Sequence, residues 1–146
     1  THNTPLVVDS AEFFARAAHA ALHGADPVAA MTGAAATPYA ALPARDWLAQ
    51  GLEYAGRDSV AAIAHFGQSC SVDGAFRAVV QLVARHPGDL RGALVDCVMA
   101  GGDSAARAML AGLVLGAALG PDAVPGEWLA AMRATPEVEG LLAGMP

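Results

Sequence analysis

Residues 71–85 read SVDGAFRAVVQLVAR, and the apolar side chains in this stretch recur at intervals of three and four residues. Such spacing places the apolar side chains on one face of an α-helix and the polar ones on the other. The predicted outer face carries Asp73, Arg77, Gln81 and Arg85. The predicted inner face carries Val72, Ala75, Phe76, Val79, Leu82 and Val83. No segment shows the sustained alternation that a half-buried strand requires, so the sequence predicts an all-α fold.

Cap and turn residues divide the rest of the chain into further helices. Asp9 and Glu12 have the spacing of a capping box, and we expect the first helix to end at Gly24. Its predicted inner face carries Phe14, Ala18, Ala21 and Leu22. Proline, glycine and aspartate signals predict helices over residues 27–36, 43–55, 58–66, 89–100 and 103–119, with two short ones beginning at Pro125 and Thr135.

Length and composition limit the kinds of protein this chain can be. Its 146 residues suit one domain with one core, or one half of a larger domain. Hydrophobic residues make up 55% and charged residues 15%, which argues against intrinsic disorder. The formal charge is −6 with eight Lys and Arg in total, so we expect no nucleic-acid partner.

The longest strongly apolar run covers residues 108–120, whereas a membrane span needs about 20 residues. We therefore predict no membrane partner and interpret this run as a buried core helix. Cys70 and Cys97 lack the spacing of a disulfide framework or a zinc site. No secretory signal is visible, so we expect a cytoplasmic protein. The chain begins at Thr1 rather than Met, which we interpret as processing, trimming or membership of a longer polypeptide.

A paired glycine precedes an acid and a hydroxyl at the start of the most apolar helix. Gly101 and Gly102 permit a tight turn and close approach of a ligand to the backbone. Asp103 and Ser104 follow, where a helix start offers free N–H groups. Two interpretations stay open from spacing alone. The corner is either a helix–helix turn with Asp103 as its N-cap, or a binding site.

Other distinctive segments lie in a fixed order around this corner: residues 65–72, the pair Ala75-Phe76, residues 110–120 and residues 125–129. In order and separation, these segments and the corner resemble the C-terminal half of the ADP-ribosylglycohydrolase family. The opening residues Thr1, His2 and Pro5 resemble the start of that half. The resemblance implies an all-helical orthogonal fold around a binuclear Mg²⁺ or Mn²⁺ site that holds ADP-ribose. It also implies hydrolysis of a ribosyl bond.

The family motif Gly-Gly-Asp-Thr-Asp-Thr supplies metal ligands, and here the matching residues are Gly101, Gly102, Asp103, Ser104, Ala105 and Ala106. The resemblance therefore implies that Asp103 is a metal ligand, with Gly101, Gly102 and Ser104 beside the ligand. Methyl groups cannot coordinate a cation, so we expect at least one metal position to be lost or much weakened, unless Ser104 or water substitutes. The other family ligands and the catalytic carboxylate belong to the N-terminal half, which we expect as a partner.

Arg107 lies one helical turn after Asp103. It either forms an ion pair with Asp103 at the surface or replaces the charge of a missing cation and binds phosphate.

The loop residues Gln68, Ser69 and Cys70 are either ligand-facing or part of a packed turn. A role of Cys70 as a nucleophile is the less favoured alternative.

Three further candidates have simpler explanations. His19 and His23 have a metal-compatible spacing, but we expect them to be solvated. Trp47 and Trp128 are expected to be core or interface anchors rather than base-stacking platforms. Thr1 as an N-terminal nucleophile is disfavoured by the all-helical pattern.

Two functions follow from these residues and the resemblance. With its N-terminal half, the chain would hydrolyse an ADP-ribosyl or related ribosyl linkage. Alternatively, it is a degenerate member that binds ADP-ribose or a nucleotide-like ligand, or that serves as an interaction module. Ala105 and Ala106 favour the second function, whereas the retained Gly-Gly-Asp-Ser corner favours a site of some kind.

Overall fold

The structure is a computed structural model that describes residues 3–144. Within this range the chain forms nine α-helices, one short 3-10 turn at Pro121–Ala123, and no β-strand. The helices are α1 (Pro5–Leu22), α2 (Pro27–Ala34), α3 (Ala44–Glu53), α4 (Ser59–Phe66), α5 (Val72–Arg85), α6 (Leu90–Met99), α7 (Ser104–Leu119), α8 (Gly126–Ala131) and α9 (Thr135–Ala143). The predicted all-α fold is confirmed. Thr1 and His2 lie outside the described residues, so what was predicted for them stays a prediction.

Helix α5 lies at the centre and contacts each of the helices α1, α2, α3, α4, α6 and α7. Its apolar face packs Phe76 against Phe13 and Phe14 of α1, with ring centroids 4.6 and 5.0 Å apart. Trp47 of α3 meets the same ring edge-on at 5.6 Å, as expected of a core anchor. Aromatic contacts of this kind add to the free energy gained by burial. The core therefore forms around the helix with the clearest amphipathic pattern.

Aspartate caps begin three of the predicted helices. Asp26 accepts from the amides of Val28 and Ala29, Asp58 from Ala61, and Asp89 from Gly92. Each carboxylate satisfies amide groups that have no partner inside the helix. The starts of α2, α4 and α6 thus follow from the local sequence.

The predicted capping box at Asp9 and Glu12 is wrong, because α1 begins four residues earlier, at Pro5. Asp9 lies inside the helix and is buried, and its Oδ2 accepts from the amides of Ala41 and Leu42 at 2.6 and 3.1 Å. The buried Asp9 carboxylate therefore links the loop before α3 to α1.

The prediction for Leu22 is also wrong, because this residue was expected inside the core but is 68% exposed.

Gln81 was predicted on the outer face of α5 but is fully buried. Its amide nitrogen donates to the carbonyls of Tyr54 and Arg57 at 3.4 and 3.2 Å. Buried polar side chains are retained where they satisfy backbone groups, which the turn after α3 provides here. The periodicity of α5 predicts which face is polar, but it carries no information on a distant turn that covers this face. The burial of Gln81 could therefore not be predicted from it.

Helix α7 was predicted to be a buried core helix, and this is only half right. Ala111, Val114 and Leu115 are buried, whereas Met109 and Leu113 are 67% and 46% exposed. Although its composition is almost entirely apolar, α7 therefore lies at the edge of the bundle with one face buried and another face exposed. None of the helices in the described part of the chain is both long and apolar enough to cross a membrane.

The Asp9 carboxylate provides a test of the packing between α1 and the loop before α3. We expect Asp9→Ala to lower the free energy of unfolding by about 1–3 kcal/mol, because two amides lose a charged acceptor. Urea denaturation followed by circular dichroism measures this loss. Glu12→Ala is the control, since it removes an exposed pair with Arg16 and should change stability by less than about 0.5 kcal/mol. Equal effects of the two substitutions would contradict the assignment.

Candidate functional site

The corner between α6 and α7 is built from two glycines in the left-handed conformation. Gly101 has φ 69° and Gly102 has φ 64°, which residues with a Cβ rarely adopt. Asp103 occupies the N-cap position of α7, but its side chain accepts no capping hydrogen bond. Asp103 therefore lies at the predicted N-cap position, but its side chain does not form the hydrogen bond expected of an N-cap. The Asp103 carboxylate is left available to other groups.

The loop before α5 meets this corner directly. The amide of Asp103 donates to the carbonyl of Gln68 at 2.9 Å, and the Gln68 side chain donates to the Ala100 carbonyl at 2.5 Å. A Cβ on Gly102 would lie 2.1 Å from the Gln68 carbonyl oxygen, so no side chain fits there. Two segments that the sequence predicted separately, residues 67–70 and 101–104, are therefore one structural unit.

The approach of α5 to α4 fixes the ends of the same loop. A Cβ on Gly74 would lie 2.7 Å from the carbonyl oxygen of Phe66 at the end of α4. Glycine at this position lets the first turn of α5 pack against the end of α4. Ser71 at the N-cap of α5 and Gly67 at the C-cap of α4 leave a short connection between the two helices. Gln68, Ser69 and Cys70 are exposed within it.

A cleft of about 360 Å³ opens beside this unit, between α1, α5 and α7. Cys70 and Asp103 line it together with mostly apolar side chains, including Phe14, Val72, Phe76 and Leu110. Asp103 is the only charged residue lining the cleft among residues 3–144. A concave apolar surface with a few polar groups is the usual form of a small-molecule site.

The contribution of α1 to this cleft was missed from the sequence. Val7, Ser10 and Ala11 form part of the wall, although they lie almost a hundred residues before Asp103. Their presence depends on the packing of α1 against α7. No local motif carries that information, so only the tertiary structure places α1 at the site.

The surface ion pair expected between Arg107 and Asp103 is wrong, while the phosphate-binding role stays a prediction. The Arg107 side chain is fully buried, and none of the ion pairs within residues 3–144 involves it. Instead Nη1 donates to the carbonyl of Gln68 at 3.3 Å, and Nη2 donates to the carbonyl of Gly101. Helical spacing correctly placed Arg107 one turn from Asp103, but the side chain turns inward beneath the corner.

The remaining predicted residues lie around the same unit. Ser104 is partly exposed, and its carbonyl accepts from the Cys97 thiol at 3.5 Å. The hydroxyl of Ser69 accepts from the amide of Ser71 at 3.4 Å. All eight predicted site residues thus lie in or beside the corner and the loop, while their roles toward a ligand stay predictions.

The residues present do not form a complete site for Mg²⁺ or Mn²⁺. In the described part of the chain, no three His, Cys, Asp or Glu side chains come together as a metal group would require. Ala105 and Ala106 offer only methyl groups beside Asp103, and Mg²⁺ prefers oxygen ligands. His19 and His23 are exposed with their rings 4.3 Å apart, and they are not part of any such cluster. Asp103 is the one acidic residue of the corner, and its role as a metal ligand stays a prediction.

The two glycines allow a matched test of the corner. Gly101→Ala places a methyl group in open space and should cost about 1–2 kcal/mol for its left-handed backbone. Gly102→Ala has the same backbone cost and also drives the methyl group into the Gln68 carbonyl, which should add about 1–3 kcal/mol. Thermal or urea unfolding of both variants measures the difference. A Gly102→Ala variant as stable as Gly101→Ala would contradict the close approach.

The two cysteines should differ sharply in reactivity. Cys70 is exposed beside the cleft, whereas Cys97 is fully buried. Burial raises the pKa of the Cys97 thiol, and the nearby Arg107 guanidinium offsets part of that rise. We expect Ellman's reagent at neutral pH to modify Cys70 in the folded protein and Cys97 only after denaturation. Rapid modification of a folded Cys70→Ser variant would show that this assignment is wrong.

Comparison with known proteins identifies the family of this chain. The model of the ADP-ribosylglycohydrolase family matches residues 1–144. Searches of curated proteins and of solved structures gave no match. The family match covers nearly the whole chain, and the all-α architecture agrees with it. The chain therefore belongs to the ADP-ribosylglycohydrolase family.

Proposed function

We propose that the cleft beside Asp103 binds an ADP-ribose-like ligand. We further propose that the chain, with the N-terminal half of an ADP-ribosylglycohydrolase domain, hydrolyses an ADP-ribosyl or related ribosyl linkage. One observation carries the proposal: the Asp103 carboxylate, free of a capping bond, faces a cleft of about 360 Å³ in a chain of this family. Apolar walls with a single carboxylate suit the two surfaces of a ribose, since carbon faces pack and hydroxyls donate.

Asp103 has the chemistry to orient a sugar. An ionised carboxylate accepts two or more hydrogen bonds, and such charge-assisted bonds are stronger than neutral ones. Cys70 lies at the same cleft, and Gln68 and Ser69 precede it in the exposed loop. These groups bind and position the ligand in our proposal, and none of them is assigned as the nucleophile.

The N-terminal half is the proposed source of the remaining acidic groups. In the hydrolysis, the bond between the ribose anomeric carbon and the leaving group breaks, the hydroxyl of a water molecule bonds to that carbon, and the leaving group takes up the remaining proton of the water. Glycoside hydrolysis generally needs one carboxyl group to supply that proton and another to assist the attack. Among residues 3–144, Asp103 is the one carboxylate that lines the cleft, so we propose that the second group comes from the N-terminal half.

Members of this family are generally metal-dependent. Mg²⁺ or Mn²⁺ would supply charge stabilisation and a bound water when present. Because the methyl groups of Ala105 and Ala106 cannot coordinate, Asp103 is the only carboxylate of the corner that would contact such an ion, with Ser104 or water in place of the missing ligands. The role that we assign to Asp103 toward the ribose does not depend on it.

A second function is favoured by the same two alanines. A chain that keeps the cleft but lacks ligand groups at positions 105 and 106 would bind ADP-ribose or a nucleotide-like ligand without turnover. Binding and hydrolysis make the same prediction for Asp103 in a binding assay, and they differ only in an assay of product release.

Binding is tested by titrating ADP-ribose into the protein in a calorimeter. We expect Asp103→Asn to weaken binding by about tenfold or more, because an amide replaces a charged acceptor whose hydrogen bonds contribute about 1.5–3 kcal/mol each. Asp122→Asn, in the exposed turn after α7, is the control and should bind like the unmodified protein. No binding by the unmodified protein, or equal binding by Asp103→Asn, would refute the proposed site.

Hydrolysis is tested on the same samples. ADP-ribosylated protein is incubated with the chain in Mg²⁺, Mn²⁺ or EDTA, and released ADP-ribose is measured by chromatography. Native mass spectrometry of the sample reports whether an N-terminal polypeptide accompanies the 14.7 kDa chain. Release that Asp103→Asn abolishes supports the hydrolase. Binding without release, when both halves are present, supports the degenerate binding module.

A further inference from the structure

Arg107 has the largest side chain that the fold buries completely. None of the ion pairs within residues 3–144 involves it, so its guanidinium carries a charge into the interior with no carboxylate beside it. Its Nε is also buried without a hydrogen-bond partner in the described structure. Burying an unpaired charge costs several kcal/mol, so a fold retains one only where other bonds compensate.

The compensating bonds to the backbone go to the site unit. The guanidinium donates to the Gln68 carbonyl in the loop before α5 and to the Gly101 carbonyl in the corner before α7. The Gln68 carbonyl also accepts from the Asp103 amide at 2.9 Å. A single cation therefore holds two backbone oxygens from segments more than thirty residues apart in sequence.

We propose that Arg107 is a positioning residue whose buried guanidinium fixes the corner of residues 101–104 against the loop of residues 67–70. The guanidinium holds two carbonyl oxygens close to one positive charge, as a bound divalent cation holds its oxygen ligands. The intervening Ala105 and Ala106 contribute no side-chain oxygen to the corner. The position of Asp103 at the cleft is thus set from below by Arg107 and does not require Mg²⁺ or Mn²⁺.

This inference deepens the proposed function, because it concerns the placement of Asp103, but its test uses neither ligand binding nor catalysis. The reporter is the Asp103 amide, whose bond to Gln68 is the joint between the two segments. Its hydrogen exchange, followed by nuclear magnetic resonance, reports opening of the corner. Exchange of the Val79 amide in the buried centre of α5 reports opening of the whole fold.

Arg107→Met removes the donors and keeps much of the apolar stem. We expect exchange at Asp103 to accelerate relative to exchange at Val79 by about tenfold or more, the factor that corresponds to about 1.4 kcal/mol. Arg107→Lys keeps the charge with a shorter reach, so it should show a smaller acceleration. Val114→Ala is the matched control, since it weakens the buried face of α7 away from the corner and should leave the ratio unchanged.

A merely structural role for Arg107 would accelerate exchange at Asp103 and Val79 together. An unchanged ratio in Arg107→Met would therefore overturn the proposal, and if that variant fails to fold, an unchanged ratio in Arg107→Lys does so. Mg²⁺ and EDTA should leave the ratio of the unmodified protein unaltered. A large slowing at Asp103 on addition of Mg²⁺ would show instead that the divalent cation fixes the corner.

Discussion

The carbonyl oxygen of Gln68 accepts one hydrogen bond from the Asp103 amide above it and one from the buried Arg107 guanidinium below it. This shared acceptor joins the connection between α4 and α5 to the connection between α6 and α7. Both donors reach it because Gly102 has no side chain and adopts a left-handed backbone. This joint sets the relative positions of the cleft, the exposed loop and the Asp103 carboxylate.

The energetic logic of the joint explains why a charged side chain lies inside a small helical protein. A guanidinium has five donors in a fixed plane, so it can donate to the Gln68 and Gly101 carbonyls at once, which a hydrophobic side chain cannot do. An unsatisfied buried carbonyl is itself costly. Arg107 and the two carbonyls therefore stabilise one another, and an apolar residue at position 107 would remove a donor from each carbonyl.

The sequence allowed much of this fold to be predicted, because helices of the bundle are bounded by local signals. The Asp26, Asp58 and Asp89 caps act within three residues of themselves. The errors came from residues whose surroundings are supplied by distant segments. Asp9 caps a loop some thirty residues away, and Gln81 is covered by the turn after α3. Neither environment leaves a periodic or local pattern.

The candidate site shows the same division. The Gly-Gly-Asp-Ser corner and the Gln68–Cys70 loop were both found from residue type and resemblance, and the structure places them in contact. The inward turn of Arg107 was not predictable, since an arginine one turn from an aspartate is usually a solvated partner. The α1 wall of the cleft was also not predictable, because it depends on packing between α1 and α7, which lie far apart in the sequence.

The loop of residues 67–71 has both ends held by helices in close contact, with Gly74 of α5 against the last carbonyl of α4. A loop tied down in this way has already given up most of its backbone freedom when the chain folds. A ligand that enters the cleft meets side chains that need little ordering, so less of its interaction energy is offset by lost entropy. The close approach of α4 and α5 beside the cleft thus bears on affinity through preorganisation.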